Sequence, residues 1–230
     1  MELTGKARHE LKYAISQADR RALRQRLEPV MKRDAHAGAD GCYIIRSIYF
    51  DNYRDKALRE KIDGVQRREK FRIRYYNDDL SYITLEKKIK HNDLCMKIDA
   101  PLTAEEYRRI LQAPGPWMLD HPEPLVRELC CKMKLQQLNP RVLVSYVREA
   151  YVYTAGNVRV TFDSRIRSSL FQNRFAAGVL PGICATDTPG DTILEVKFDA
   201  FLPEIIACLL QSGGLRQQAF SKYGACRRFG

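Results

Sequence analysis

The chain contains no G-x-x-x-x-G-K-[ST] phosphate loop, no G-x-G-x-x-G and no G-x-S-x-G elbow. These absences close the P-loop, dinucleotide-fold and serine-hydrolase routes to an enzyme. There is no C-x-x-C pair, and the four histidines, His9, His36, His91 and His121, are scattered, so the ligand spacing of a structural zinc site is missing. Nothing approaches the run of about 20 apolar residues that a membrane span needs. "MELTGKARHELKYAI" also lacks a signal-peptide core, so a soluble, cytoplasmic protein is expected. No internal repeat, low-complexity tract or linker divides the chain, and a single domain over 1–230 is the expectation.

What is present is cation. Lys plus Arg number 39 against 28 Asp plus Glu, a formal net charge of +11, which calls for an anionic partner: nucleic acid, a phosphorylated metabolite or an acidic membrane surface. At 45% hydrophobic, the 230 residues can still build a sizeable core. The seven cysteines are odd in number, irregularly spaced and mostly set in apolar runs, a pattern of reduced and buried thiols.

The stretch "REKFRIRYY" shows where the charge goes. Strand side chains alternate between faces, so Arg68, Lys70, Arg72 and Arg74 line one side while Phe71, Ile73 and Tyr75 line the other. The same division recurs elsewhere. Arg8, Glu10 and Lys12 oppose His9, Leu11 and Tyr13; Thr84, Glu86, Lys88 and Lys90 oppose Leu85 and Ile89, with Lys87 the exception. Arg159, Thr161 and Asp163 oppose Val158, Val160 and Phe162, and Glu195, Lys197 and Asp199 oppose Leu194, Val196 and Phe198.

Between these strands lie amphipathic helices. Ser16 with Asp19 opens one that runs to about Lys32, Tyr53 to Ile62 forms a second, and the Thr103-Glu106 capping box starts a third ending near Gln112. A fourth covers about Leu125 to Leu135, and Pro203 opens a last one that Gly213-Gly214 ends. Strands are expected at Cys42 to Phe50, Arg68 to Tyr76, Tyr82 to Ile89, up to Asp99, Arg141 to Tyr153, Asn157 to Asp163 and Thr192 to Phe198, with turns at "NDDLS" and His91-Asn92-Asp93 and a long loop over Gln172 to Asp191. Helices cover the apolar strand faces. The charged faces have two fates: solvent on an open sheet, or the polar interior of a closed one. Long cations with few carboxylates favour closure around a polyanion and a metal ion, because so much like charge repels itself and is costly to desolvate.

The pieces "RHELKY", "SIYFDN", "REKFRIRYY", "LEKKIK", the strand containing Lys97, "SYVREAY", "VRVTFD", "ILEVKFD" followed by Leu202-Pro203, and "SKY" at Ser221 to Tyr223 span the chain from end to end. In that order they resemble the VTC domain, the polyphosphate polymerase domain of the vacuolar transporter chaperone complex, within the CYTH or triphosphate tunnel metalloenzyme superfamily. The resemblance implies an α+β fold: a closed antiparallel β-barrel forming a tunnel, with helices packed outside. It implies that Arg72, Arg74, Lys88 and Lys12 serve catalysis and that Lys70, Lys97, Arg148, Arg159, Lys197 and Lys222 bind phosphates of nucleotide and product. Glu195 would hold a divalent metal, Mn²⁺ or Mg²⁺, with Glu86 and Glu10 as further candidates. The implied reaction moves the terminal phosphoryl of ATP onto inorganic polyphosphate, with pyrophosphate and triphosphate as its short relatives. No specific nucleic acid is implied, and a membrane protein is a candidate receiver of the polymer.

One departure bears on the activity. Triphosphatases of the CYTH type carry E-x-E-x-K on the first strand, whereas this chain reads Arg8-His9-Glu10-Leu11-Lys12, and a cation at the first position cannot ligate metal. That weakens the hydrolase or cyclase reading and favours the polymerase branch. A non-catalytic receptor for polyphosphate or inositol pyrophosphate would also use such cations, as would a basic groove for nucleic acid. Asp51 in "SIYFDN" is read as a cap for the helix that follows, and Asp163 either supports the metal or pairs with a neighbouring arginine.

Overall fold

The computed structural model describes residues 8–91, 94–112, 114–169, 183–184, 192–211 and 215–227. Chain order is β1 His9–Ile15, α1 Gln17–Leu27, β2 Lys32–Arg33, β3 Cys42–Asp51, α2 Lys56–Ile62, β4 Arg67–Tyr76, β5 Asp79–His91, β6 Leu94–Leu102, α3 Ala104–Gln112 and α4 Pro124–Gln136. Then come β7 Asn139–Tyr153, β8 Val158–Ser169, β9 Ile183–Cys184, β10 Thr192–Phe198, α5 Glu204–Leu209 and α6 Lys222–Cys226. No helix among the described residues is long and apolar enough to cross a membrane.

The strands form one antiparallel sheet in the order β1-β10-β8-β7-β3-β4-β5-β6, with β2 on β7 and β9 on β8. The sheet curls until its first and last strands meet. Among the described residues they meet at a single bridge, Arg8 to Cys95, rather than along a continuous ladder, so the barrel they form is closed by contact and not by a full set of hydrogen bonds. Helices cover the outside in two places. Tyr107 and Ile110 of α3 and Leu125, Val126 and Leu129 of α4 bury the apolar face of β4, β5 and β6. Leu23 and Leu27 of α1 and Ile206 of α5 bury that of β8 and β10. The alternation seen in the sequence thus sorts the side chains: Phe71 and Ile73 face the helices, while Arg72 and Arg74 face the interior.

Local signals set the element ends. The Ser16–Asp19 and Thr103–Glu106 capping boxes both form. The turn between β4 and β5 is tighter than "NDDLS" suggested: Asn77 and Asp78 both have positive φ, as a two-residue hairpin requires, and pairing resumes at Asp79. Asp51 accepts from the amides of Ala57 and Leu58 at 2.9 and 3.2 Å, capping α2 from outside its first turn. The strand expected to end at Asp163 continues to Ser169 through a bulge at Arg165, φ 52°, where the β7–β8 register shifts. Helix α6 was not expected; it is a five-residue element with a central glycine and no apolar period. The expected helix stop at Gly213-Gly214, the turn at Asn92-Asp93 and most of the loop over 172–191 lie outside the described residues. The cysteines are less uniformly buried than their apolar runs suggested, since Cys130 and Cys226 are buried but Cys131 and Cys208 are exposed.

Candidate active site

The interior holds a cavity of about 700 Å³ lined, among the described residues, by eleven Lys and Arg side chains and by two carboxylates, Glu10 and Glu195. Each strand delivers its charged residues at every second position. Lys70, Arg72 and Arg74 come from β4, Lys88 from β5, Arg148 from β7, Glu195 and Lys197 from β10, Glu10 and Lys12 from β1, and Lys222 from α6. These are ten of the residues expected at the site. Three others are not on its wall. Glu86 lies behind Arg72 and Arg74; Lys97 is half-exposed and pairs with Asp99 at 3.1 Å; Arg159 is held by Asp34 at 2.5 Å and by the Tyr43 hydroxyl at 2.8 Å. Arg8 also points elsewhere, to Asp199 at 3.1 Å, so it adds no charge to the cavity.

The cations are not uncompensated, as the sequence pattern alone suggested. Four carboxylates divide them into groups. Arg72 donates from Nε to Glu86 Oε2 at 2.6 Å and from Nη1 to the Tyr49 hydroxyl at 3.0 Å, its Nη2 lies 2.5 Å from the same Glu86 oxygen as an ion-pair contact, and Arg74 Nη1 and Lys97 are each 3.7 Å from Glu86. Burial would raise the Glu86 carboxyl, but Arg72, Arg74 and Lys97 hold it well below the usual carboxylate range. Arg148 forks onto Asp163, and Lys222 joins it at 2.5 Å. Burial opposes charge on Lys222, yet Asp163 and Glu195 raise its ammonium above the ordinary lysine value. On the facing strands, Lys197 lies 2.7 Å from Glu195 and 3.5 Å from Glu10, Lys12 lies 3.3 and 3.9 Å from Glu10 and Glu195, and Lys88 reaches Glu10 at 3.1 Å.

Glu10 and Glu195 oppose each other's ionisation, but Lys88, Lys12, Lys197 and Lys222 keep both below the usual range despite their burial. Two hard oxygen donors on the cavity wall suit Mg²⁺ or Mn²⁺, ions that commonly take one or two carboxylates and complete their shell with phosphate oxygens and water. Among the described residues there is no cluster of three or more His, Cys, Asp or Glu to hold a metal unaided. The donor set therefore fits an ion that draws the rest of its shell from a ligand and water, with Glu10 and Glu195 as the residues able to hold it. Glu86, engaged on both sides by arginines, is the poorest of the three expected ligands.

Sequence reasoning missed part of the wall. Tyr49, Tyr146 and Tyr223 also line it, as does the segment Gln217 to Ser221, with Tyr49 stacked on Tyr223 at 5.1 Å and the Arg74 Nη2 donating to the Tyr146 hydroxyl at 3.3 Å. The Tyr223 hydroxyl donates to Asp51 at 2.6 Å, so the residue that caps α2 also anchors α6 and with it Lys222. No pattern in the sequence links positions 51 and 223.

A family model described as the VTC domain matches residues 7–229. The chain belongs to the VTC-domain family. No curated protein matches it by sequence. Among solved structures, the VTC-domain chain is similar to a protein from Bacillus halodurans provisionally described as an adenylate cyclase, at 17% identity and a TM-score of 0.51 over 84% of this chain and 80% of that one. It is similar also to an adenylyl cyclase, provisionally so named, from Hippeastrum, described as having a dominant triphosphatase activity, at 12% identity and a TM-score of 0.51 over 89% and 84%. A third, from Vibrio parahaemolyticus and again provisionally an adenylate cyclase, gives 10% identity and 0.51 over 96% and 98%. At these identities the likeness shows the fold, the triphosphate tunnel, and the VTC-domain match supplies the family.

Proposed function

We propose that this VTC-domain protein is a polyphosphate polymerase that transfers the terminal phosphoryl group of ATP to the end of a growing inorganic polyphosphate chain inside the tunnel. The observation that carries the reading is the cavity wall, with eleven cations against two carboxylates among the described residues. So large an excess of cations in a partly dehydrated interior suits a ligand with one negative charge or more at every phosphate.

The terminal oxygen of the acceptor is anionic at neutral pH, so its attack on the γ-phosphorus needs no general base. One P–O bond forms there as the bond to the β,γ-bridging oxygen breaks, and ADP leaves with the electron pair. Alignment and neutralisation are then the protein's whole task. Glu86 and Tyr49 fix the Arg72 guanidinium through Nε and Nη1, and at least one N–H on each Nη remains for a phosphate oxygen. Arg74 and Lys88 flank it, and Lys12, Arg148, Lys197 and Lys222 hold the neighbouring phosphates, guanidiniums as forks and ammoniums as point charges. A Mg²⁺ or Mn²⁺ on Glu195 and Glu10 would supply further neutralisation of the phosphate oxygens it shares. Incubation with ATP and either ion tests the reading: ADP must appear with polymer and without an equal amount of free phosphate.

A further inference from the structure

The β4–β5 ladder changes character along its length. Arg72 faces Glu86 across the strands, an opposite-charge pair in the interior. The next two interior pairs toward the other end are Lys70 with Lys88 and Arg68 with Lys90, both of like charge. Directly opposed like charges destabilise a sheet. Lys61, from α2, adds another cation to the same end of the wall. Among the described residues, Lys61, Arg68, Lys70 and Lys90 have no carboxylate within ion-pair distance, whereas every other cation lining the cavity has one. Lys70 has only the Ser221 hydroxyl at 3.5 Å and the face of Tyr223 at 5.4 Å. All four side chains are half-buried, so they are poorly placed to be neutralised by bulk counterions.

We propose that Lys61, Arg68, Lys70 and Lys90 form a second anion subsite at this end of the tunnel, which takes the phosphates of a polyphosphate chain that lie beyond the reacting ones and thereby selects long chains over short. The proposal rests on the reading of the cavity as a polyphosphate site. From Arg68 to Arg74 the cation row on β4 extends about 20 Å at roughly 3.3 Å per residue, more than a triphosphate can bridge. A short phosphate chain can satisfy the inner, partly balanced group and leave the outer four unpaired. A long chain neutralises both. Burial, then the charges of Lys88, Arg68, Lys12 and Lys61, already bring the Lys70 ammonium down to about 7, and burial with Arg68, Lys12 and Lys90 lowers Lys61. An anion seated there restores their charge.

The test compares binding of long-chain polyphosphate and of tripolyphosphate to the full chain, without ATP. The double variant Lys61→Gln/Lys90→Gln removes two charges that have no ion pair. The double variant Arg21→Gln/Lys134→Gln removes two exposed charges outside the cavity and controls for net charge. The expected result is a loss of about tenfold or more for the long chain, equivalent to about 1.4 kcal/mol, with tripolyphosphate and the control variant changed less than about twofold. Equal loss for both ligands, or no loss for either, overturns the subsite while leaving the polymerase reading intact. If the unaltered protein binds neither ligand, the polyphosphate reading falls with it.

Discussion

Arg148 donates from Nε and Nη2 to the two oxygens of Asp163 at 2.7 and 2.8 Å, and that carboxylate, fully buried, also faces Lys222. It therefore holds in place, before any ligand arrives, two cations to which the proposed function assigns phosphates. Asp163→Ala removes the fork on Arg148 and leaves Lys222 with only Glu195 at 3.8 Å, and is expected to cost about 3–5 kcal/mol. Tripolyphosphate should raise the thermal midpoint of this variant more than that of the unaltered protein, because the ligand replaces the lost charge. Burial opposes ionisation of Asp163, but Arg148 and Lys222 hold its carboxyl below the usual range. Its contribution to stability is thus complete above about pH 4, the unfolded value, and is lost as pH falls further. Asp163→Asn should flatten that acid limb in a pH series of denaturation curves.

Arg72→Ala should lower turnover by about 10²-fold or more, the scale of removing one preorganised charge donor. The fold should survive, since Glu86 keeps Arg74 and Lys97 as neighbours. Circular dichroism and steady-state kinetics on the same preparation check both halves. A folded variant with full activity would remove Arg72 from the reaction.

The period-2 alternation made most of this legible. It predicted which side of β4, β5, β8 and β10 would face the interior, because a strand in a curled sheet has only two faces and helices were available for one of them. What the alternation could not show was pairing across the sheet. That Arg159 is drawn to Asp34 and Arg8 to Asp199 depends on residues far away in sequence that curvature brings near. Helix α6 was illegible for the same reason: its stability comes from the Tyr223–Asp51 contact and burial of Cys226, not from local propensity.

Lys70 should report ligand binding as proton uptake. With its folded value at about 7, it is largely neutral at pH 8, while an unfolded lysine stays charged up to about pH 10.4. Between those values the unfolded chain binds the extra proton, so the stability penalty of a charged Lys70 is present in full below pH 7 and is relieved as pH rises. Polyphosphate favours the charged form. Calorimetry at pH 8 in two buffers of different ionisation enthalpy should show more proton uptake for the unaltered protein than for Lys70→Met, and equal uptake would refute the assignment.

Glu195→Gln should separate metal use from anion binding. The variant loses one of two candidate metal ligands, and metal-dependent turnover should fall steeply. In chelator at low salt, however, tripolyphosphate should bind more tightly than to the unaltered protein, because Lys197, Lys12 and Lys222 lose a competing carboxylate. Weaker binding in chelator would mean that Glu195 positions the lysines rather than neutralising them.

The most direct measurement follows the γ-phosphoryl group itself. Purified protein is incubated with ATP labelled at the γ-phosphate, Mn²⁺ or Mg²⁺ and a short polyphosphate primer, and the products are resolved by size. Label in chains longer than the primer, matched by ADP, is the predicted result; label recovered only as free phosphate would contradict the account and make the tunnel a hydrolase.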